Sequence, residues 1–413
     1  MGRTSCAAAA AIALLTAGVR TQDGWGGVLD QHPAIAYAAR TPADRVAKLG
    51  RELADGTRTL HRDSRTGYLA PLLQALGIPI ESQLLVFSKT GVQRAFTSPR
   101  NPRALYFDST VAVGYVPGAP AIEVASHDPQ QGVVFYVVDQ SSAAPALTRR
   151  TSCLSCHVSA STLDVPGMIS RSNFVGEDGN TMPQLGGGDV THRTPHPDRW
   201  GGWYVTSEGV PPPYAQRAHA GNITFSPHGD TSNQIFTDWL NGAPDDRPYL
   251  SSSSDIVALL LFDHQMHAIN LLTRLNWEWR VAAAGGRASV SDAAIRPLVD
   301  ELAGYLLFEG EAPLGARLTP MRSFADYLAS RVPTDHRGRS FGQLDLGDRL
   351  LRYPCSYMVY SPAFDALAPP VKDAVYRRMI GMLSAPPAGF PRLTADDRTA
   401  IVEILRETRP DFP

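Results

Sequence analysis

The spacing of apolar residues changes character along the chain. Thr41-Pro42-Ala43-Asp44 offers a helix start, with Thr41 as N-cap, Pro42 at the first helical position and Asp44 three residues after the cap. That helix is expected to run to about Ala54, where Asp55-Gly56 stops it, and Leu69 to Leu76 reads as a second short helix. The pattern then shifts to short β-branched and aromatic runs separated by Gly, Pro and Asp. Gln83–Ser88, Val111–Val116, Ala121–Ala125 and Gly132–Val138 are the four such runs, and they predict an antiparallel sheet.

From residue 158 to about 250 no period survives. Gly186-Gly187-Gly188, Gly201-Gly202 and Pro211-Pro212-Pro213 break every register. So long an irregular stretch in a compact protein needs something to organise it, and a large apolar cofactor would supply a core. Helical spacing returns at Asp255–Arg280, where Ser254 or Asp255 can cap and Ile256, Leu259, Leu260, Met266, Ile269 and Leu272 form an apolar face. Ser291–Leu307, Pro369–Leu383 and Thr394–Arg406 read as further helices, the last with Thr394 and Asp397 as a capping box. The expected class is α+β: an N-terminal antiparallel β region, a coil-rich segment, and a helical C-terminal region. The expected divisions are 1–21, 22–150, 151–250 and 251–413, with one body favoured over separate domains because the coil-rich segment has too few periodic apolar residues to stand alone.

At 413 residues the chain can bury a large core. A net charge of −2 gives no electrostatic case for nucleic acid or a membrane surface. Lysine occurs only at Lys48, Lys89 and Lys372, a bias read as genomic rather than functional.

The chemistry concentrates in Cys153-Leu154-Ser155-Cys156-His157, a C-x-x-C-H run. C-x-x-C alone is also half of a zinc site or a thioredoxin-like redox pair. A four-cysteine zinc site needs a second pair, and the other cysteines, Cys6 and Cys355, stand far apart. No early βαβ unit supports a thioredoxin. The histidine that follows tips the reading to haem attachment, with two thiols adding across vinyl groups and His157 placed to bind iron.

The N-terminus agrees. Arg3 precedes an apolar run from Cys6 to Val19, too short to span a bilayer comfortably and closed by Arg20, Gln22 and Asp23. Residues 1–21 read as an export signal with cleavage around Ala17 to Thr21, so the protein is expected to be periplasmic or otherwise exported. No stable membrane span is expected after its removal. Cys355 then remains as a lone thiol beside apolar neighbours.

Cys153–His157 resembles the haem-binding motif of c-type cytochromes. The resemblance covers these five residues and the export signal. It implies one covalent haem c, with Cys153 and Cys156 as thioether points and His157 as proximal iron ligand. The motif lies deep in the chain after predicted strands, unlike its place near the start of small soluble cytochromes c. A sheet followed by C-x-x-C-H also looks faintly like the cytochrome P460 group, in which a lysine is linked to the haem; Lys89 is the nearby upstream lysine. The chain as a whole resembles large exported single-haem proteins of unassigned function.

The sixth iron position decides function. A Met or His there gives an electron carrier, and an open position gives an enzyme or gas binder. The candidates, in order, are His192, then His264 and His267, then His219 and Met182. Met168, eleven residues from His157, is close for crossing to the opposite face, and His196, His228 and Met266 complete the set. His264-Gln265-Met266-His267 lacks the spacing and the glutamate of a zincin helix. Trp200-Gly201-Gly202-Trp203-Tyr204 is either an aromatic wall for a porphyrin or ordinary core beside a tight turn. Arg149 and Arg150 suit haem propionates or form a solvated pair, and Asp178-Gly179-Asn180 signals a turn.

Two function classes follow. One is an electron-transfer cytochrome passing single electrons to a redox partner protein. The other is a haem enzyme, a peroxidase or small-molecule oxidase, for which the size of the chain argues.

Overall fold

The structure, a computed structural model, describes residues 29–176, 178–205, 248–251, 253–314, 317–319, 322–387 and 393–413. The expected export signal, His219 and His228 lie outside the described residues. The architecture is α+β: a seven-stranded antiparallel sheet in the N-terminal half and helices in the C-terminal region.

The strands are β1 (Leu84–Val86), β2 (Arg103–Phe107), β3 (Val111–Tyr115), β4 (Ala121–Asp128), β5 (Gly132–Asp139) and β6 (Leu147–Arg149), followed by a separate two-stranded ribbon of β7 (Arg171–Asn173) and β8 (Gly187–Asp189), and then β9 (Trp203–Tyr204). In the large sheet β1 to β6 form a meander in chain order, and β9 returns to pair with β1 at the far edge. β4 and β5 pair along their whole length, from Ala121 opposite Asp139 to Asp128 opposite Gly132. Both faces are covered along most of β5, which explains why it reads Val-Val-Phe-Tyr-Val-Val without a polar alternate.

One face packs against α1 (Arg45–Ala54) and α2 (Leu69–Leu76), burying Leu69, Leu72, Tyr106, Val113, Val124 and Val134 together. Helix α1 starts later than expected. Asp44, not Thr41, is the N-cap; its carboxylate accepts from the Val46 and Ala47 amides. Asp44 also accepts from the Tyr136 hydroxyl at 2.5 Å, so the cap is fixed by the sheet as well as by the helix.

After the four-residue α3 (Leu154–His157), the opposite face takes α4, Ile256–Ala284, which starts at the Asp255 cap. Phe262 of α4 meets Phe107 edge-on at 5.0 Å. The remaining helices, α5 (Arg296–Leu306), α6 (Arg322–Arg331), α7 (Pro362–Asp365), α8 (Pro369–Ser384) and α9 (Ala395–Thr408), extend the core on this side. The Thr394–Asp397 capping box forms. Among the described residues α4 alone has the length and apolarity to cross a bilayer, and 94% of its most apolar stretch is buried inside the protein. It is a core helix.

The described part of the coil-rich segment carries more structure than its sequence suggests. It forms the β7–β8 ribbon and supplies β9, so it is woven into the sheet and does not hang outside it.

Candidate functional site

Strand β6 delivers the C-x-x-C-H run. Past Arg149 the chain leaves the sheet, with the Arg150 amide still bonded to the Phe135 carbonyl, and turns into a helical stretch from Thr151 to His157. Cys153 and Cys156, three apart on this helix, share a side. Both are free thiols; Cys153 is half-buried and Cys156 exposed. Burial pushes the Cys153 thiol pKa up, and Glu123 adds to that.

His157 sits under the turn with its ring 4.6 Å from that of Phe135. Its Nδ1 lies 2.9 Å from the Gly167 carbonyl. A carbonyl only accepts, so Nδ1 carries the proton and donates, and in the neutral ring the lone pair is on Nε2. Burial lowers the His157 pKa, which favours that neutral ring. The Gly167 amide donates in return to the His157 carbonyl at 3.0 Å. Gly167 is held from behind by α4. Asn270 accepts from the Met168 amide at 3.1 Å and donates to the Met168 carbonyl at 2.8 Å. A Cβ on Gly167 would lie 2.9 Å from Asn270 Cγ and 3.0 Å from Thr162 Cβ, so glycine is required for the close approach.

This arrangement fits an axial imidazole ligand. Such histidines donate their other ring N–H to a carbonyl or carboxylate, which sets tautomer and orientation. Among the described residues no three His, Cys, Asp or Glu side chains gather as a metal-ligating group. A porphyrin needs none, since its own nitrogens supply four ligands and the protein one or two.

The candidates for the opposite iron face are scattered. His192 and His264 meet each other, Nδ1 to Nδ1, at 2.7 Å. His192 Nε2 is 3.2 Å from the Glu309 carbonyl, and His264 Nε2 is 2.7 Å from Ser356 Oγ. The carbonyl fixes the direction. His192 Nε2–H donates to Glu309, its Nδ1 accepts from His264 Nδ1–H, and His264 Nε2 accepts from the Ser356 hydroxyl. Every ring nitrogen of the pair is therefore engaged. The rings are walled by Tyr305 and Phe308, the latter stacked on His264 at 4.3 Å. Burial lowers both pKa values, that of His264 to about 3.

His267 is half-buried against Tyr305 at 4.8 Å. Met182 is half-buried, and its amide donates to the Phe174 carbonyl. Met168 and Met266 turn into a small cavity between β3 and α4, which His127 and Gln265 also line. His196 is buried, with its ring 5.7 Å from that of Trp200.

Other clusters resolve as architecture. Arg149 donates to the Tyr37 and Arg40 carbonyls and lies over the Tyr37 ring, so it is a structural tie. Arg150 is exposed. Trp203 and Tyr204 form β9, with Trp203 Nε1 donating to the Arg171 carbonyl, and Trp200, Trp203 and Tyr204 are all buried in the core. The Asp178–Asn180 turn forms, with Gly179 at φ +83°, and the Lys89 amide donates to the Gly179 carbonyl. Cys355 is buried, and burial raises its thiol pKa far above the ordinary range.

No local pattern marks Phe135, Gly167 or Asn270 as neighbours of His157, nor the Arg103–Glu123 pair at 3.4 Å whose charges act on it. No family model matches the chain, and no curated protein or solved structure shows significant similarity to it.

Proposed function

We propose that the chain is an exported c-type cytochrome carrying one haem, with Cys153 and Cys156 as thioether points and His157 Nε2 as proximal ligand, acting in single-electron transfer with a redox partner protein. The observation that carries this reading is the bond from His157 Nδ1 to the Gly167 carbonyl, which leaves Nε2 with its lone pair directly after a pair of free thiols. When bound, the haem supplies a one-electron couple at iron. The chain's own part is to hold the imidazole. Gly167 sets its tautomer and raises its basicity, Asn270 fixes Gly167, and Phe135 limits rotation of the ring.

One observation favours the second reading, a haem enzyme acting on a small molecule. The two first-ranked far-side candidates, His192 and His264, spend all four ring nitrogens on hydrogen bonds, which favours an open iron position. A visible spectrum of the full chain, exported in cells that attach haem c, tests both. Sharp α and β bands on reduction, unmoved by carbon monoxide, support the carrier; a high-spin spectrum shifted by carbon monoxide or cyanide supports the enzyme. Absence of a haem band, or haem staining in a denaturing gel that survives Cys153→Ala with Cys156→Ala, overturns the reading.

A further inference from the structure

The sheet face under α3 has a covered row and a less covered one. In an antiparallel sheet, residues paired across strands project to the same side. Phe135, which meets His157, is opposite Ala125; Ala125 is opposite Ala112, and Ala112 opposite Phe107. Helix α4 lies over the far end of this row through Phe262. Two residues along each strand is the next row on the same side: Val137, Glu123, Gly114 and Leu105.

That second row is incomplete in three respects. Val137, Glu123 and Leu105 are half-buried in a sheet whose other face is sealed, and Ala125 beside them is half-buried too. Glu123 Oε1 is buried without a hydrogen-bond partner, while Oε2 faces Arg103. Gly114, the fourth of the five residues of β3, is buried and has no left-handed φ to require a glycine. A glycine inside a strand is found at bulges, at tight bends and where a ligand or another backbone approaches closely, and β3 pairs here without a bulge. A Cβ built there meets Glu123 Oε2 at 3.4 Å and Leu105 Cδ2 at 3.5 Å, so the protein itself leaves room for one more carbon. The row is also tied to the motif: Glu123 acts electrostatically on both Cys153 and His157, and Leu105, Ala125 and Cys153 all pack at the margin of one hydrophobic cluster.

Resting on the haem reading above, we propose that the tethered porphyrin seats against this row of the sheet, with Leu105, Ala125 and Val137 as its apolar bed and Gly114 letting the Leu105 and Glu123 side chains lie low over β3 beneath it. The seat is distinct from the buried His192–His264 pair, whose ring nitrogens are engaged in hydrogen bonds.

The test uses the full chain exported in haem-attaching cells, carrying Gly114→Leu, which projects a side chain into the seat. Covalent haem staining should persist, because the thioether points are elsewhere. The Soret circular dichroism should lose most of its amplitude, and the midpoint potential should shift. Gly114→Ala, whose single carbon fits, should stay close to the parent. If Gly114→Leu does not accumulate, Ala125→Leu and Leu105→Ala report on the same bed. Unchanged Soret dichroism and potential in the variants that fold overturn the seat while leaving the haem reading intact. A parent chain without covalent haem overturns the haem reading, and the seat with it.

Discussion

Gly167 joins two distant parts of the chain in a few atoms: its carbonyl orients His157, and its hydrogen atoms let Asn270 of α4 close on Met168. Gly167→Ala drives a methyl against Asn270 and Thr162, so the paired hydrogen bonds to Met168 open and the His157 ring loses its fixed acceptor. Two weakened buried hydrogen bonds cost about 2 kcal/mol. Urea denaturation should show that loss, and a midpoint equal to the parent's would refute the coupling. His157 was legible because C-x-x-C-H is a local pattern. Gly167 was not, because its role depends on a helix that begins nearly ninety residues later, and nothing in Pro166-Gly167-Met168 announces it. His192 and His264 show a different limit of the sequence. Histidines in an irregular segment and on an apolar helix invite a ligand reading, but only the fold could bring them within 2.7 Å of each other.

Helix α4 is the element on which both features depend. At 1.5 Å per residue its 29 residues span roughly 43 Å. Its N-terminus is fixed by the Asp255 carboxylate, which accepts from the Val257 and Ala258 amides at 2.8 and 2.9 Å. Ser254 beside it accepts from the Leu85 amide and donates to the Tyr204 carbonyl, tying the helix start to β1 and β9. Asp255→Ala should cost about 1 kcal/mol, read as a lower melting temperature; an unchanged value would mean Ser254 alone fixes the start. The sequence placed α4 well because its apolar positions keep a helical period over many turns. It placed the strands at 111–116, 121–125 and 132–138 for the same kind of reason, with β4 running on to Asp128. It missed β2, since Pro99-Arg100-Asn101-Pro102 reads as loop and Arg103 opens the strand with a charge, and it missed β9, whose two residues are too few to show a period.

Over the whole molecule, buried histidines set the acid limit. Burial lowers His127 to about 4 and His196 and His264 to about 3, with His192 well below its ordinary value. These groups are neutral in the folded chain and titrate near 6.5 when unfolded, so their contribution is complete above about pH 6.5 and is lost as pH falls towards the folded values. For His127 alone this amounts to about 3 kcal/mol. Asp263 opposes them. Burial raises it to about 6 despite Arg199 at 3.4 Å, so between roughly pH 4 and 6 acidification favours the folded form through this one group. Four histidines outweigh one carboxyl. The urea midpoint should therefore fall steadily from pH 7 to pH 4.5; a flat or rising midpoint would show that the histidines are charged in the folded protein.

The return of β9 to the edge of β1 has a temporal side. A chain crossing a membrane emerges N-terminus first, and the meander from β1 to β6 is complete just before Cys153 appears. The clamp on Met168 waits for Asn270, 102 residues further on, and the sheet's last strand waits for Trp203 and Tyr204. For that interval the thiols stand at the end of a finished meander whose opposite wall has yet to arrive. On the haem reading proposed above, an attachment enzyme working on a nascent chain would have its widest access then, and arrival of α4 would narrow it to the exposed Cys156 side. In pulse-labelled cells, haem incorporation should thus precede protease resistance of the α4 region, and slowing α4 closure with Asn270→Ala should lengthen the interval without lowering the final extent of attachment.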